Sequence, residues 1–214
     1  MYTMSTSSPA TIAAIAKSPE RYHHGNLREA LVAAGLALLA EGVAEPGLRE
    51  LARRVGVSAN ATYRHFADKE ALLTALAAEG FRQLAAAQWQ AALTAAEPVG
   101  RFFATGRAYV HFARQHPALF RLMFGRFALA NRSEELEAAS GLAYEGLRQG
   151  VAAALRLPAD SEAVTVAAMH AWSLVHGLSH LILDGQFAAL GQDEDAMIDR
   201  VLIQAGQFGR QLAV

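Results

Sequence analysis

The sequence predicts an all-α protein of about nine helices, and three observations lead to this prediction. Alanine and leucine dominate the composition, proline is scarce outside a few junctions, and runs of β-branched residues are short. Apolar residues recur mostly at helical spacing. They also make up 53% of the 214 residues, which is enough to bury a sizeable core.

Composition also limits the classes of function. The chain contains no cysteine, which excludes disulfides and thiolate metal sites. Residues 1–20 are rich in Ser, Thr and Ala, and we expect them to form a disordered arm. The first sixteen residues contain no Lys or Arg, so a secretory signal is not expected and a cytoplasmic location is.

The net charge of −1 conceals an uneven distribution. Residues 17–74 carry a net charge of +1, residues 75–132 carry +5, and residues 133–214 carry −7. A neutral total therefore does not argue against nucleic-acid binding, although the N-terminal segment is not strongly basic.

The first predicted helix begins near Asn26, which forms a capping-box-like start with Glu29, and ends near Gly42. Its inner stripe consists of Leu27, Leu31, Ala34 and Leu38.

The segment Gly47–Lys69 has the pattern of a helix-turn-helix. An apolar stripe predicts a short helix that ends at Gly56, and Ser58 is a suitable N-cap for a second helix over Ala59–Phe66. Two short helices joined by a three-residue turn with Gly are typical of DNA-reading motifs. The second helix carries outward groups that can hydrogen-bond bases or phosphates: Asn60, Tyr63, Arg64 and His65.

Asp68 caps the next predicted helix, which runs to about Leu93 and would link the DNA-reading motif to the rest of the protein. Asp160 is expected to cap the penultimate helix. The remaining helices are predicted over residues 99–115, 117–127, 133–155, 163–183 and 193–212. Most of the phenylalanines in this part are expected to be core, with the alternative that some line an apolar cavity.

Residues 163–183 contain no Asp, Glu, Lys or Arg, and the segment has the length of a membrane span. We reject that interpretation because His170, His176 and His180 interrupt the segment and acidic Glu162 and Asp184 flank it. We expect a helix buried inside the protein and against a second copy of the chain.

Trp172, His176 and His180 lie four residues apart on one face of this helix, together with Met169. Three interpretations remain open: histidines of the core or an interface, walls of a ligand pocket, or a two-histidine metal site. No third ligand is apparent, so no metal is predicted.

Enzyme motifs such as GxSxG, a Walker loop or GxGxxG after a strand are absent from the sequence, so neither an enzyme nor a cofactor is predicted. The helix-turn-helix pattern favours a DNA-binding protein. The alternative is a helical small-molecule-binding protein or enzyme with an incidental helix-turn-helix. An adaptor that binds protein instead of DNA is a third possibility.

The stretch GVSANATYRHFADKEALL closely resembles the signature of TetR-type transcriptional regulators, and residues 22–76 follow the helix order of that family. HPALFRLMFG at His116–Gly125 and WSLVHG at Trp172–Gly177 are similar to a subtype with a WHG-like C-terminal domain.

The resemblance implies a homodimeric repressor that binds a palindromic double-stranded DNA operator and releases it when a small-molecule effector enters the C-terminal domain. It implies a DNA-binding domain over residues 21–70 and an effector-binding and dimerisation domain over 71–214. The implied DNA-binding residues are Arg49, Ser58, Ala59, Asn60, Ala61, Tyr63, Arg64, His65 and Lys69. The candidate effector-binding residues are Phe103, Phe124, Met169, Trp172 and His176.

Three positions depart from the family pattern. Gly47 lacks the hydroxyl that commonly caps the first helix of the motif, and Ala61 stands where Thr is common. Thr62 replaces an apolar residue and is expected to face inward above Phe66.

Overall fold

The computed structural model describes residues 27–125, 133–187 and 193–211, with side chains described as far as residue 204. The described residues form nine α-helices and no strand, which confirms the predicted all-α class. The N-terminal arm lies outside the described residues. The helices are α1 (Leu27–Ala40), α2 (Leu48–Val55), α3 (Ala59–Tyr63), α4 (Lys69–Ala92), α5 (Pro98–Gln115), α6 (Pro117–Phe124), α7 (Glu134–Leu155), α8 (Glu162–Leu183) and α9 (Glu194–Gln211).

Helix α1 packs against α2 and against α4, and α3 packs against α2. The side chains at the centre of this packing, Leu31, Leu51 and Leu72, are fully buried, and Phe66 is 2% exposed. Gly35 on α1 allows a close approach to α4, because a Cβ at this position would lie 2.8 Å from Leu76 Cδ2. The N-terminal helices are therefore joined to α4 through α1.

Helix α4 extends from these N-terminal helices into the rest of the molecule. Asp68 caps its first turn, and Oδ1 of Asp68 accepts a hydrogen bond of 2.8 Å from the backbone N–H of Ala71. Farther along, α5 and α7 pack along α4, and α6 crosses it at Gly80, where a Cβ would lie 2.6 Å from Met123 Sδ. One helix thus contributes to the core at both ends of the protein.

The last helices complete the second half of the molecule. Helix α8 packs on α5 and α7, and α9 packs on α5. Ile198 on α9 is fully buried, and ion pairs Arg107–Asp199 (3.2 Å) and Arg114–Glu194 (2.8 Å) hold α9 against α5.

Two predicted helix boundaries were wrong. The second helix of the motif ends at Tyr63 rather than Phe66, because the backbone N–H of His65 bonds to the Thr62 carbonyl (3.0 Å) and the chain turns to bury Phe66. The N-cap of α8 is Ser161 rather than Asp160, since Ser161 Oγ accepts the N–H of Val164 at 3.3 Å.

Two further predictions lie partly outside the described residues. Helix α6 is described to Phe124, and residues 126–127 of the prediction fall beyond it. In the last helix, the side chains of Ala205 and Phe208 in the expected stripe are likewise outside the described set.

Helix α8 is the one helix in the described part of the chain that is long and apolar enough to cross a membrane. Length and composition are weak evidence, because core helices of folded domains share them. Val164 and Ala168 on its inner face are fully buried, whereas Val166, Met169 and Leu181 are exposed. Within the single chain, the expected burial therefore holds for one face of the helix.

Candidate functional site

The turn between α2 and α3 is defined by Gly56 and Ser58. Gly56 adopts the left-handed conformation (φ 77°) that glycine accepts without strain, and the N–H of Val57 bonds to the Ala52 carbonyl at 2.9 Å. Ser58 then caps α3, with its Oγ accepting the N–H of Ala61 at 3.3 Å. The direction of α3 is therefore fixed by its own local sequence.

Thr62 holds the inner side of α3. It is fully buried, and its hydroxyl donates a hydrogen bond of 2.7 Å to the Ala59 carbonyl, so the polar group is satisfied inside the core. The prediction that Thr62 faces inward is confirmed. Gly47 provides no side-chain cap for α2, also as expected.

The outer side of α3 is polar and accessible. Tyr63 is 48% exposed, and Asn60, Arg64 and His65 are exposed beside it. Ser58 and Ala59 at the start of α3 are exposed, Ala61 is half-buried, and Arg49 is exposed on α2. The structure thus places eight of the nine candidate DNA-binding residues on or next to the two helices of the motif.

Lys69, the ninth candidate, lies at the start of α4 and forms an ion pair with Glu45. Arg54 on α2 likewise pairs with Glu41, with Nη1 2.7 Å from Oε2. The hydrogen bond from Arg54 lowers the pKa of the Glu41 carboxyl. Neither pair follows from helical spacing, since both acidic partners lie in the loop before α2.

A cavity of about 510 Å³, here called the first cavity, lies between α4, α5, α6, α7 and α8. This volume falls within the roughly 300–1,000 Å³ of small-molecule sites. Apolar and aromatic side chains dominate its walls, among them Phe81, Phe102, Phe124, Tyr144 and Trp172. These rings also pack on one another, as in the edge contact of Phe81 with Phe124 at 5.1 Å.

A polar cluster interrupts the apolar wall. Tyr109 on α5 and His176 on α8 are joined by a hydrogen bond of 2.9 Å between the hydroxyl and Nδ1, and Trp172 Nε1 donates to the same hydroxyl at 3.4 Å. Burial raises the pKa of Tyr109, so the phenol stays protonated. Burial, and to a lesser extent the neighbouring His180, lowers the pKa of His176. Both members of the pair are therefore uncharged near neutral pH.

Four of the five candidate effector-binding residues line the first cavity: Phe124, Met169, Trp172 and His176. Phe103 does not, and it lines a second cavity of about 450 Å³ that lies between α5, α7, α8 and α9. The two cavities share a wall that includes Phe102 and Val175. Tyr109 and Glu137, which are not among the residues predicted from the sequence, reach the first cavity from α5 and α7.

His176 and His180 are close, with ring centroids 4.7 Å apart, as their spacing on one helix face requires. Among the described residues no group of three His, Cys, Asp or Glu could hold a metal ion. Of the three interpretations for this pair, the geometry favours a pocket wall for His176, because it lines the first cavity and bonds to Tyr109.

Glu135, at the start of α7, connects the two ends of the protein. Its carboxylate lies 2.5 Å from Nη2 of Arg28 on α1 and 2.6 Å from Nη2 of Arg82 on α4. Although partial burial alone would raise it, the pKa of Glu135 is lowered by the hydrogen bond from Arg82 and the charge of Arg28. The next residues of α7, Leu136 and Glu137, line the first cavity.

Two family models match the sequence. A model described as "Bacterial regulatory proteins, tetR family" matches residues 31–76, which contain α2, α3 and the start of α4. A model described as "Tetracyclin repressor-like, C-terminal domain" matches residues 102–204 and includes both His116–Gly125 and Trp172–Gly177. A comparison with curated protein sequences finds no match.

Several solved structures are similar to this chain. A protein of unknown function from Rhodococcus sp. RHA1 is 32% identical, with a TM-score of 0.73 over 90% of this chain and 98% of its own. The TetR family transcriptional regulator PfmR from Thermus thermophilus is 19% identical, with a TM-score of 0.58 over 82% of this chain and 96% of its own. The fatty acid degradation regulator FadR from Bacillus halodurans is 12% identical, with a TM-score of 0.60 over 86% of this chain and 96% of its own. At these identities, the similarity of the last two structures to this chain shows a shared fold and nothing more.

Proposed function

Because this chain belongs to the TetR family of DNA-binding transcriptional regulators, we propose that it is a homodimeric repressor that releases its operator when a small molecule enters the first cavity. The observation that carries the proposal is the course of α4. This helix begins at the DNA-reading motif and then forms one wall of the first cavity with Phe81, Leu84 and Gln88.

In this proposal residues 21–70 bind DNA, and α3 lies in the major groove. Asn60 and Arg49 reach bases or phosphates, while Tyr63 and His65 bind the DNA backbone. Ser58, Ala59, Ala61 and Arg64 complete the surface that faces the groove. Lys69 binds a phosphate once the phosphate displaces Glu45, which now holds its ammonium group. The protein would act in the cytoplasm, where the chromosome is accessible.

The last two described helices support the homodimer. Large apolar side chains on α8 and α9 are exposed in the single chain, including Val166 (62%), Leu181 (49%) and Ile203 (51%). Large apolar patches on a protein surface are typical of interfaces, and pairing with a second copy would bury these side chains. Pairing of α8 and α9 with a second copy, within the domain formed by residues 71–214, would set two α3 helices about 34–36 Å apart, one turn of DNA.

The Glu135 ion pairs suggest how an effector acts on DNA binding. A ligand that displaces the start of α7 moves Glu135 away from Arg28 or Arg82, and α1 and α4 then change position relative to each other. The separation of the two α3 helices changes with them, so the ligand favours a state that binds the operator poorly.

The test is fluorescence anisotropy with labelled DNA from the region flanking the gene. We expect saturable binding that competitor DNA of unrelated sequence does not abolish, together with a dimer in light scattering. Tyr63→Ala is expected to weaken this binding strongly, whereas the control Leu142→Ala, at a position 71% exposed on α7, is expected to leave it unchanged. Full affinity in Tyr63→Ala, or a monomer that binds the operator, would contradict the proposal.

A further inference from the structure

The walls of the first cavity define the chemistry of its ligand. Aromatic rings form much of the wall, and such surfaces favour flat apolar molecules. Met123 and Met169 also line the cavity and add apolar surface. The cavity therefore suits a rigid ring system better than a flexible chain with many polar groups.

The charged residues of the cavity wall restrict the class of ligand further. None of the described residues that line the first cavity is Lys or Arg, and the carboxylate among them is Glu137. A ligand with its own carboxylate would lose its hydration and would find no Lys or Arg among these side chains. The described part of the wall thus disfavours acids such as aromatic carboxylates.

The Tyr109–His176 pair supplies a place for one polar group. If the Tyr109 hydroxyl donates to Nδ1 of His176, the neutral imidazole carries its proton on Nε2. Trp172 Nε1 occupies one lone pair of the Tyr109 oxygen. The pair then retains one donor, on Nε2, and one acceptor, on the Tyr109 oxygen. The two lie on different sides of the imidazole, so a ligand hydroxyl can donate to the Tyr109 oxygen, or a ligand hydroxyl or carbonyl oxygen can accept from Nε2.

We infer that the first cavity takes an uncharged molecule with a flat ring system and one hydrogen-bonding oxygen, and that the Tyr109–His176 pair holds this oxygen. The inference rests on the proposed function, in which the same cavity is the effector site. It adds the class of effector and the residues that select it.

The second cavity has similar volume but different chemistry. Apolar residues such as Val99, Leu155 and Ile203 line it and are exposed in the single chain. Among the described residues it contains no hydrogen-bonded polar cluster comparable to Tyr109 and His176. It provides an internal control for a ligand that merely prefers apolar surroundings.

The chain contains two tryptophans, so fluorescence can report binding in the first cavity. Trp89 is 65% exposed, and Trp89→Phe leaves Trp172 in the cavity wall as the sole tryptophan. We would titrate this full-length variant with 4-phenylphenol and with biphenyl-4-carboxylate, which share ring size and differ in charge. Excitation at the red edge of tryptophan absorption limits interference from the probes.

We expect 4-phenylphenol to quench or shift Trp172 emission with an affinity at least about tenfold above that of biphenyl-4-carboxylate. Tyr109→Phe keeps the ring and removes the hydroxyl, so it should weaken 4-phenylphenol binding roughly threefold to tenfold, the effect of one lost hydrogen bond. Leu155→Ala, which changes only the second cavity, should leave both affinities unchanged.

Equal or tighter binding of the carboxylate would overturn the inference, as would binding detected by calorimetry without a change in Trp172 emission. Failure of both probes to bind at about millimolar concentration would overturn it as well. Anisotropy with operator DNA separates this result from the proposed function. If the Trp89→Phe protein binds operator DNA but neither probe, the proposed ligand class is refuted. If a probe binds as expected but does not release the DNA, the proposed release mechanism is refuted.

Discussion

The two ends of this molecule use their side chains in opposite ways. At the DNA-binding end the core side chains Leu31 and Leu51 are fully buried, and the side chains of α3 that we propose to contact DNA lie outside. At the cavity end the interior encloses a space of about 510 Å³, and the side chains that we propose to bind the effector line it. Substitutions at the DNA-binding end can therefore alter the proposed DNA contacts without changing the core. At the cavity end, residues of the core also line the proposed effector site.

The largest expected effect comes from removing a core ring at each end. Phe66→Ala should lower the free energy of unfolding by about 3–5 kcal/mol and abolish DNA binding, because Phe66 is 2% exposed in a filled core. Phe102→Ala should cost less, because Phe102 is half-buried and already borders both cavities. Urea denaturation followed by circular dichroism measures both losses. Equal losses would show that the two ends are packed alike.

A smaller effect, confined to one function, is expected for the outer face of α3. Tyr63→Ala should lower operator affinity about tenfold to a hundredfold, equal to ~1.4–2.8 kcal/mol, since both copies in a dimer lose the contact. The melting temperature should barely change, because Tyr63 is 48% exposed. The paired measurements are anisotropy and a thermal melt. A large drop in melting temperature would place Tyr63 in the packing of α3 rather than in DNA recognition.

The link between the two ends is tested at Glu135. Glu135→Gln removes the charge that pairs with Arg28 and Arg82, and we expect the effector-induced loss of operator affinity to shrink about twofold to fivefold. The free energy of unfolding should change by less than about 1 kcal/mol, as is usual for partly exposed ion pairs.

The matched control is Glu145→Gln, which removes an ion pair with Arg148 on the same helix, α7. If Glu145→Gln alters the effector response as much as Glu135→Gln, the coupling does not depend on the contact between α7 and α1.

The smallest expected effect is a pH dependence of stability at the cavity end. Because the pKa of His176 is lowered in the folded state, the unfolded chain binds a proton more readily. The stability that neutral His176 contributes to the folded state is present above the usual histidine pKa of about 6.5 and is lost as the pH falls below it. Tyr109 and His180 are the titratable neighbours of His176, and Tyr109 stays protonated throughout this range.

We therefore expect the melting temperature of the wild type to fall more between pH 8 and pH 5.5 than that of His176→Gln. His65→Gln, at an exposed histidine of the DNA-binding end, serves as the control and should follow the wild type. Parallel pH profiles for all three proteins would mean that protonation of His176 does not couple to folding.

The same contrast explains what the sequence could predict. The DNA-binding end depends on local signals: Gly56 ends α2, Ser58 caps α3 and Asp68 caps α4, and each acts within a few residues. Even there, the predicted end of α3 at Phe66 was wrong, because the burial of Phe66 depends on helices outside the motif.

The cavity end depends on contacts between distant residues. Tyr109 bonds to His176 across 67 positions, and Arg28 pairs with Glu135 across 107, so no spacing rule could join them. The positions of Trp172 and His176 followed from spacing on one helix. Phe103, a candidate effector-binding residue, lines the second cavity, whereas Phe102 lines both, because aromatics on several sides of α5 left its rotation undefined by the sequence.

The ion pairs of Lys69 with Glu45 and Arg54 with Glu41 affect how operator affinity depends on salt. Each phosphate that a free cation neutralises releases condensed counterions and adds roughly 0.9 to the slope of log K against log salt. A lysine or arginine that must first leave an internal carboxylate exchanges one anion for another and contributes less to this slope. The complex should therefore tolerate rising ionic strength better than a count of nearby basic residues implies.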